Sequence, residues 1–165
     1  MAECAFGAEI STDRLRCAVA KAYRDDGRIT VEIVYYDSPA GAAEFLGGRY
    51  AADDPVGVAV DPKSQTATLV KPLSELGVPV TRLSAEDVAV AHGEFMDLVA
   101  SRGLRHLGQE ELTAAVRGAA QRPLAGAKAW ERRVEADQAP LNAGTFAVWV
   151  LQRYEELASP GVWVI

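Results

Sequence analysis

Three acidic residues stand where carboxylates could do metal-dependent chemistry: Glu9, Asp61 and Asp137. Glu9 interrupts the otherwise apolar stretch AFGAEIS, and strand interiors are depleted in Glu. Asp61 follows the apolar run VGVAV and precedes Pro62, where a buried strand ends. Asp137 precedes Gln138-Ala139-Pro140, the kind of signal that opens a helix. Carboxylates drawn together from distant points of a chain repel one another unless cations neutralise them. Mg2+ and Mn2+ are hard ions that prefer oxygen ligands. Two such ions suit phosphodiester hydrolysis, one activating water and the other stabilising the leaving oxygen. An ordinary role is open to each residue as well: Asp137 as a helix cap, Asp61 as a turn residue and Glu9 as a solvent-facing strand residue.

For these acids to meet, the chain must carry them on elements that converge. Ala5 to Ile10 reads as a strand, Ser11 to Arg14 as a turn and Leu15 to Tyr23 as a second strand. Asp25-Asp26-Gly27 marks a tight hairpin into Ile29 to Tyr36, a third strand rich in β-branched and aromatic residues. Ala40 to Tyr50 is helix-like, VGVAV is a buried strand, Ser64 to Leu76 is a helix closed by Gly77, and Val78 to Thr81 is a short strand. Ser84 and Asp87 resemble a capping box for a helix reaching Ser101, and Gln109 to Ala120 is a further helix. The pattern breaks between Pro123 and Arg133, where Ala127 to Arg132 reads as a strand or extended edge; a final helix then runs from Asp137 to about Leu157. Three antiparallel strands followed by strand, helix, strand and further helices is the order of an α/β, ribonuclease-H-like fold with a central mixed sheet flanked by helices. There Glu9 lies on the first strand, Asp61 ends the strand beside it and Asp137 starts the last helix, so the three are expected at one edge.

With 165 residues, 49% hydrophobic and 24% charged, residues 1–165 are expected to form one domain. No apolar run is long enough for a membrane span and no secretory pattern opens the chain, so a cytoplasmic location is expected. Cys4 and Cys17 lack metal-ligand spacing and read as reduced packing residues. A net charge of −6 argues against a protein that coats nucleic acid. Locally the balance reverses: Arg102, Arg105, Arg122, Lys128, Arg132 and Arg133 are candidates for contacting DNA phosphates, each with a solvated surface as its ordinary role.

The remaining candidates read as structural. His92 and His106 have no partner at metal-ligand spacing and are expected on the surface. Asp87 is expected to cap its helix and Glu94 to face solvent, while Asp13 and Glu135 read as turn and surface residues. Trp130, Trp149 and Trp163 are too dispersed for a base-stacking platform, and Trp149 is expected in the core. Ser11 and Thr12 offer hydroxyls near Glu9 without any Ser/His/Asp arrangement. No G-x-x-x-x-G-K-[ST] loop occurs, so ATP hydrolysis by this sequence is not expected.

The stretches GAEISTDR, VAVDP and ADQAPLNAGTFAVW resemble the three acidic motifs of the nuclease domain of phage terminase large subunits, particularly those of actinobacterial phages. GVPVTRLSAEDVAVAHGEFMDLV and RPLAGAKAWERR resemble its connecting segments, so the resemblance spans nearly the whole chain. It implies an endonuclease that cleaves concatemeric double-stranded DNA during genome packaging in the host cytoplasm. Its catalytic acids and ligands for two Mg2+ or Mn2+ ions would be Glu9, Asp61 and Asp137. It further implies an ATPase domain, a small terminase subunit and a capsid portal as partners, with the ATPase in a longer chain or a separate one. The sequence departs from the family at Glu9, where Asp is usual. A ribonuclease-H-like module that docks or holds DNA without cutting, and a resolvase-like nuclease on the same fold, are the alternatives.

Overall fold

The structure, a computed structural model, describes residues 3–158, so Trp163 lies outside the described residues. It opens on an antiparallel meander of β1 (Cys4–Ile10), β2 (Cys17–Asp25) and β3 (Arg28–Asp37). Asp26 (φ 50°) and Gly27 (φ 75°) form the two-residue connection between β2 and β3. Positive φ at both positions is what a tightly twisted hairpin demands.

A turn of 3-10 helix at Pro39–Gly41 leads into α1 (Ala42–Asp53), then β4 (Val58–Val60). The single helix expected over Ser64 to Leu76 is divided into a 3-10 segment, Gln65–Leu69, and α2 (Val70–Glu75). Pro72 explains the break: it lacks an N–H and fits only the first turn of an α-helix, so the α-helix begins just before it. After β5 (Thr81–Arg82), α3 (Ala85–Ala100) carries the expected capping box, with Asp87 N–H donating to Ser84 Oγ at 3.1 Å and Ser84 N–H to Asp87 Oδ2 at 2.9 Å. A strand not anticipated from the sequence, β6 (Leu104–His106), precedes α4 (Glu110–Arg117). Three residues are too few to show alternation; β6 exists because the open edge of β3 offers it backbone partners. The uncertain stretch near Pro123 is a hairpin, β7 (Gln121–Leu124) and β8 (Ala127–Trp130), turning through Ala125 and Gly126 at positive φ. α5 (Ala139–Ala158) follows.

The six-stranded sheet has the order β5-β4-β1-β2-β3-β6. β4 runs parallel to β1, β5 parallel to β4 and β6 parallel to β3, which makes the sheet mixed and ribonuclease-H-like as expected. All seven residues of β1 are buried, as befits a central strand covered on both faces. α1 and α2 cover one face through Leu46 and Leu73, which pack with Phe6, Val58 and Val60. α3, α4 and α5 cover the other. α5 is buried continuously from Ala139 to Leu151 and is the central helix of the domain. No helix among the described residues is long and apolar enough to cross a membrane.

Small residues let α5 lie directly on the sheet. A Cβ at Gly7 would sit 2.1 Å from the Ala143 carbonyl oxygen and 2.7 Å from the Ala147 nitrogen, both backbone atoms of α5. Neither can yield without moving the helix. Gly7→Ala is therefore expected to lower unfolding free energy by about 3 kcal/mol in urea denaturation; an unchanged midpoint would mean that α5 does not seat on β1 as described.

Candidate functional site

Period-two alternation along β1 puts Glu9 on the same side as Ala5 and Gly7, the side covered by α5. Phe6 pairs with Val58 and Gly7 with Ala59 in the parallel β1/β4 ladder. Continuing that register past the end of β4 brings Asp61 opposite Glu9. Both acids lie at the carboxyl ends of parallel strands, where open α/β sheets present their ligand sites. Glu9 is 1% exposed and Asp61 5%, so neither charge is left to water.

Each carboxylate is held by both oxygens. Ser64 and Thr66, at the start of the 3-10 segment, place their hydroxyls 2.8 and 2.9 Å from Glu9 Oε1. Thr66 Oγ1 also accepts the Ile10 N–H at 3.0 Å, tying the segment to β1. The Lys63 N–H donates to Asp61 Oδ1 at 2.9 Å. The remaining oxygens share one donor: Arg132 gives its Nε–H to Glu9 Oε2 at 2.7 Å and its Nη2–H to Asp61 Oδ2 at 2.8 Å. Burial pushes the Glu9 carboxyl above the usual range, against the pull of Arg132, Ser64 and Thr66. Burial likewise disfavours the Arg132 charge, yet Glu9 and Asp61 hold its pKa above the ordinary arginine value.

Asp137 occupies the same end of the molecule in a different role. Its Oδ1 accepts the Ala139 N–H at 2.9 Å, the expected cap of α5, and its Oδ2 accepts the Tyr36 hydroxyl at 2.7 Å. Burial and the adjacent Asp137 keep the Tyr36 phenol protonated by raising its pKa. Asp137 lines a small recess together with Glu9 and Arg132. The structure thus brings Glu9 and Asp61 directly together and leaves Asp137 at the rim. Among the described residues no three His, Cys, Asp or Glu side chains converge closely enough to hold one ion. The donors are of the right chemistry for a hard divalent cation, since Glu9 and Asp61 offer carboxylate oxygens backed by hydroxyls. The guanidinium of Arg132 stands between them.

Beside this pair lies an open cleft of about 670 Å³ lined by Asp61, Lys63, Ser64, Arg122, Glu131, Arg132 and Arg133 among others. The six candidate DNA-contacting bases therefore separate. Arg122, Arg132 and Arg133 border the cleft, and Lys128 is exposed on β8. Arg105 is on β6, at the far edge of the sheet, paired with Asp25 at 2.5 Å. Arg102 borders an apolar cavity with Phe95, Met96 and Leu104. Neither lines the cleft: Arg105 is on β6 and Arg102 just precedes it, and β6 is the edge strand at the other end of the sheet from β5.

Several expectations for single residues are corrected. His92 is buried, 4% exposed, with its ring 4.4 Å from that of Trp130 in an edge-on contact, since the β7/β8 hairpin folds over α3. Glu94 is half-buried in an ion pair with Arg153 of α5. Lys63, Ser64, Thr66 and Tyr36 were not singled out from the sequence. Ser64 caps the 3-10 segment, accepting the Thr66 N–H at 3.1 Å; a Ser at the start of a helical stretch is the local signal that could have pointed to it. His106 is exposed, Trp149 is buried and Asp13 serves its turn, accepting from Ser11 Oγ at 2.6 Å, as anticipated.

No family model and no curated protein matches the sequence. Solved structures match its fold. The large terminase of bacteriophage HK97 superposes with a TM-score of 0.72 at 14% identity, over 90% of this chain and 39% of that one. The large terminase nuclease of thermophilic phage G20c gives 0.68 at 12% identity, over 88% of this chain and 81% of that one. The chain has the fold of a large-terminase nuclease domain. The g2p nuclease domain of bacteriophage SPP1, determined with bound Mn, gives 0.59 at 12% identity, over 92% and 86%. This chain therefore spans well under half of the HK97 protein and most of the isolated nuclease domains.

Within this terminase-nuclease fold both cysteines are buried. Cys17 pairs with Ile10 across the β1/β2 ladder and is fully buried. Burial, with Glu9 and Asp137 adding to it, pushes its thiol up to about 12, and burial raises that of Cys4. The thiolate is the reactive form. Neither Cys4 nor Cys17 is therefore expected to react with Ellman's reagent in the native protein at pH 8, and both should react once guanidinium unfolds it. Rapid native reaction would show that the strands beside Glu9 are open to solvent.

Proposed function

We propose that this chain is the nuclease domain of a phage DNA-packaging terminase, cleaving concatemeric double-stranded DNA by metal-dependent phosphodiester hydrolysis. The observation that carries the proposal is a pair of buried carboxylates, Glu9 and Asp61, at the carboxyl ends of neighbouring parallel strands, beside a cleft bordered by Lys63, Arg122 and Arg133. Glu9, Asp61 and, from the rim, Asp137 are the residues that would hold two Mg2+ or Mn2+ ions. Such ions, when bound, lower the pKa of their water and neutralise charge developing on the phosphate.

The surrounding residues have roles of their own on this reading. Ser64 and Thr66 fix one Glu9 oxygen, and the Lys63 N–H fixes one of Asp61, so that each acid presents its other oxygen at a set position. Asp137 differs: the Ala139 N–H holds its Oδ1 and the Tyr36 hydroxyl its Oδ2, so both of its oxygens are oriented from the protein side. Lys63, Arg122 and Arg133 contact backbone phosphates, which suits cutting with little sequence preference. Glu9 is one methylene longer than the Asp usual in the family its motifs resemble, and it reaches Ser64 and Thr66. The G20c nuclease with bound magnesium and the SPP1 domain with bound Mn support the choice of ions. The ATPase domain, small terminase subunit and portal are the partners on this reading, and restraint by them keeps the enzyme from destroying the genome it packages. A second reading, a domain that holds DNA without cutting it, is favoured by one observation, the engagement of both acids by Arg132.

Supercoiled plasmid separates the two. With Mn2+ the wild-type chain is expected to nick it, EDTA to abolish nicking, and Asp61→Ala and Asp137→Ala each to lower the rate by about a hundredfold or more. Plasmid retained in a gel shift but nicked by neither the wild type nor Glu9→Asp would give the second reading the field.

A further inference from the structure

The oxygens of the Glu9–Asp61 pair are not equivalent. Glu9 Oε1 belongs to Ser64 and Thr66, and Asp61 Oδ1 to the Lys63 N–H. The two left over, Glu9 Oε2 and Asp61 Oδ2, both accept from Arg132. A hard cation that draws on both acids through these free oxygens must stand where the guanidinium now stands. The charges say the same: one guanidinium offsets only one of the two carboxylates, whereas a divalent ion matches both, and a second positive group beside that ion would be repelled.

Arg132 also has somewhere to go. It borders two spaces, the recess beside Glu9 and Asp137 and the cleft of about 670 Å³. Its backbone lies between β8 and α5 and belongs to no helix or strand. The flanks of that segment are pinned. The Trp130 indole N–H donates to Thr145 Oγ1 of α5 at 3.0 Å, and Gln138 Nε2 donates to the Ala115 carbonyl at 3.0 Å. Arg132 thus moves independently of the sheet and α5 if its long side chain rotates and the bends around it adjust.

From this geometry we infer that Arg132 is the resident cation of the Glu9–Asp61 pair, that its guanidinium and a divalent metal ion are alternative occupants of one position, and that metal loading turns Arg132 into the cleft. The inference rests on the metal-dependent reading above and adds its regulation. In the cleft the released guanidinium joins Lys63, Arg122 and Arg133, where its five donors suit a phosphate. Metal loading and DNA affinity are thereby coupled through one residue: the site without metal is neutralised internally, and the loaded site gains a phosphate contact.

The test is calorimetric binding of Mn2+ to the wild-type chain, Arg132→Gln and Asp61→Ala, without DNA. Arg132→Gln is expected to bind Mn2+ about tenfold or more tightly than the wild type, because no cation has to be displaced, while Asp61→Ala binds it far more weakly than either. Equal or weaker affinity in Arg132→Gln overturns the exchange while leaving the nuclease reading standing. Absence of Mn2+ binding by both the wild type and Arg132→Gln overturns the nuclease reading itself. Should Arg132→Gln not fold, the wild type and the conservative Arg132→Lys suffice. Its Arg132 Nε–H resonance, identified by its loss in Arg132→Lys, is expected to shift and exchange faster with water on saturation with Mg2+. A resonance that stays in place at saturation overturns the exchange.

Discussion

Two carboxylates removed from water side by side cannot both remain charged without a cation, and much of this molecule is arranged around that constraint. Glu9 and Asp61 are placed by β1 and β4, the most buried strands of the sheet, and Arg132 reaches both from outside it. The hairpin of β7 and β8 ends in Trp130, which is wedged against His92 and Phe95 and bonded to Thr145. What looks like a peripheral flap thus aims the counter-charge at the centre of the domain. Uncompensated, the two acids would strain the join of β1 and β4; compensated, they form a polar end to a sheet that is otherwise apolar.

The sheet supports this by being thin. Ala5, Gly7, Ala18, Ala20 and Ala22 carry little bulk beneath α5, so the helix lies close to β1 and β2 and its first turn reaches the strand ends. That brings Asp137 and Gln138 into the recess shared with Glu9 and Arg132. Acids accordingly concentrate at the carboxyl ends of the parallel strands, while Lys63, Arg122 and Arg133 border the adjoining cleft. The net charge of −6 describes neither region by itself. A chain acidic overall can still border a cleft with several positive charges, because the effect of each charge falls off within a Debye length of about 10 Å.

The match in fold to phage terminase nucleases at 12–14% identity has a physical basis in the same features. A fold tolerates wide substitution when volume and the pattern of buried positions are kept, and here that pattern is a doubly covered central strand and a long buried helix against it.

The elements with strong local signals were legible in the sequence. The meander, the Asp26-Gly27 turn, the capped α3 and the Asp137-capped α5 all follow from periodicity, turn chemistry and caps. Glu9 and Asp61 also stand out as candidates, since a Glu in an apolar strand and an Asp at a strand end are conspicuous wherever the strands lie. β6 was not legible, because a three-residue strand has no periodicity and owes its existence to the edge it joins. The same holds for His92 and Glu94, buried by elements far away in sequence. Above all, the partner of the acids could not be read. Arg132 looks like any other surface base in its sequence context, and it meets Glu9 and Asp61 across 123 and 71 residues of chain. Local sequence determined which residues carry charge and which segments form strands and helices. Which charges must neutralise one another was decided only when tertiary packing removed water from between them, because electrostatic pairing depends on distance and burial, and neither is a property of neighbours along the chain.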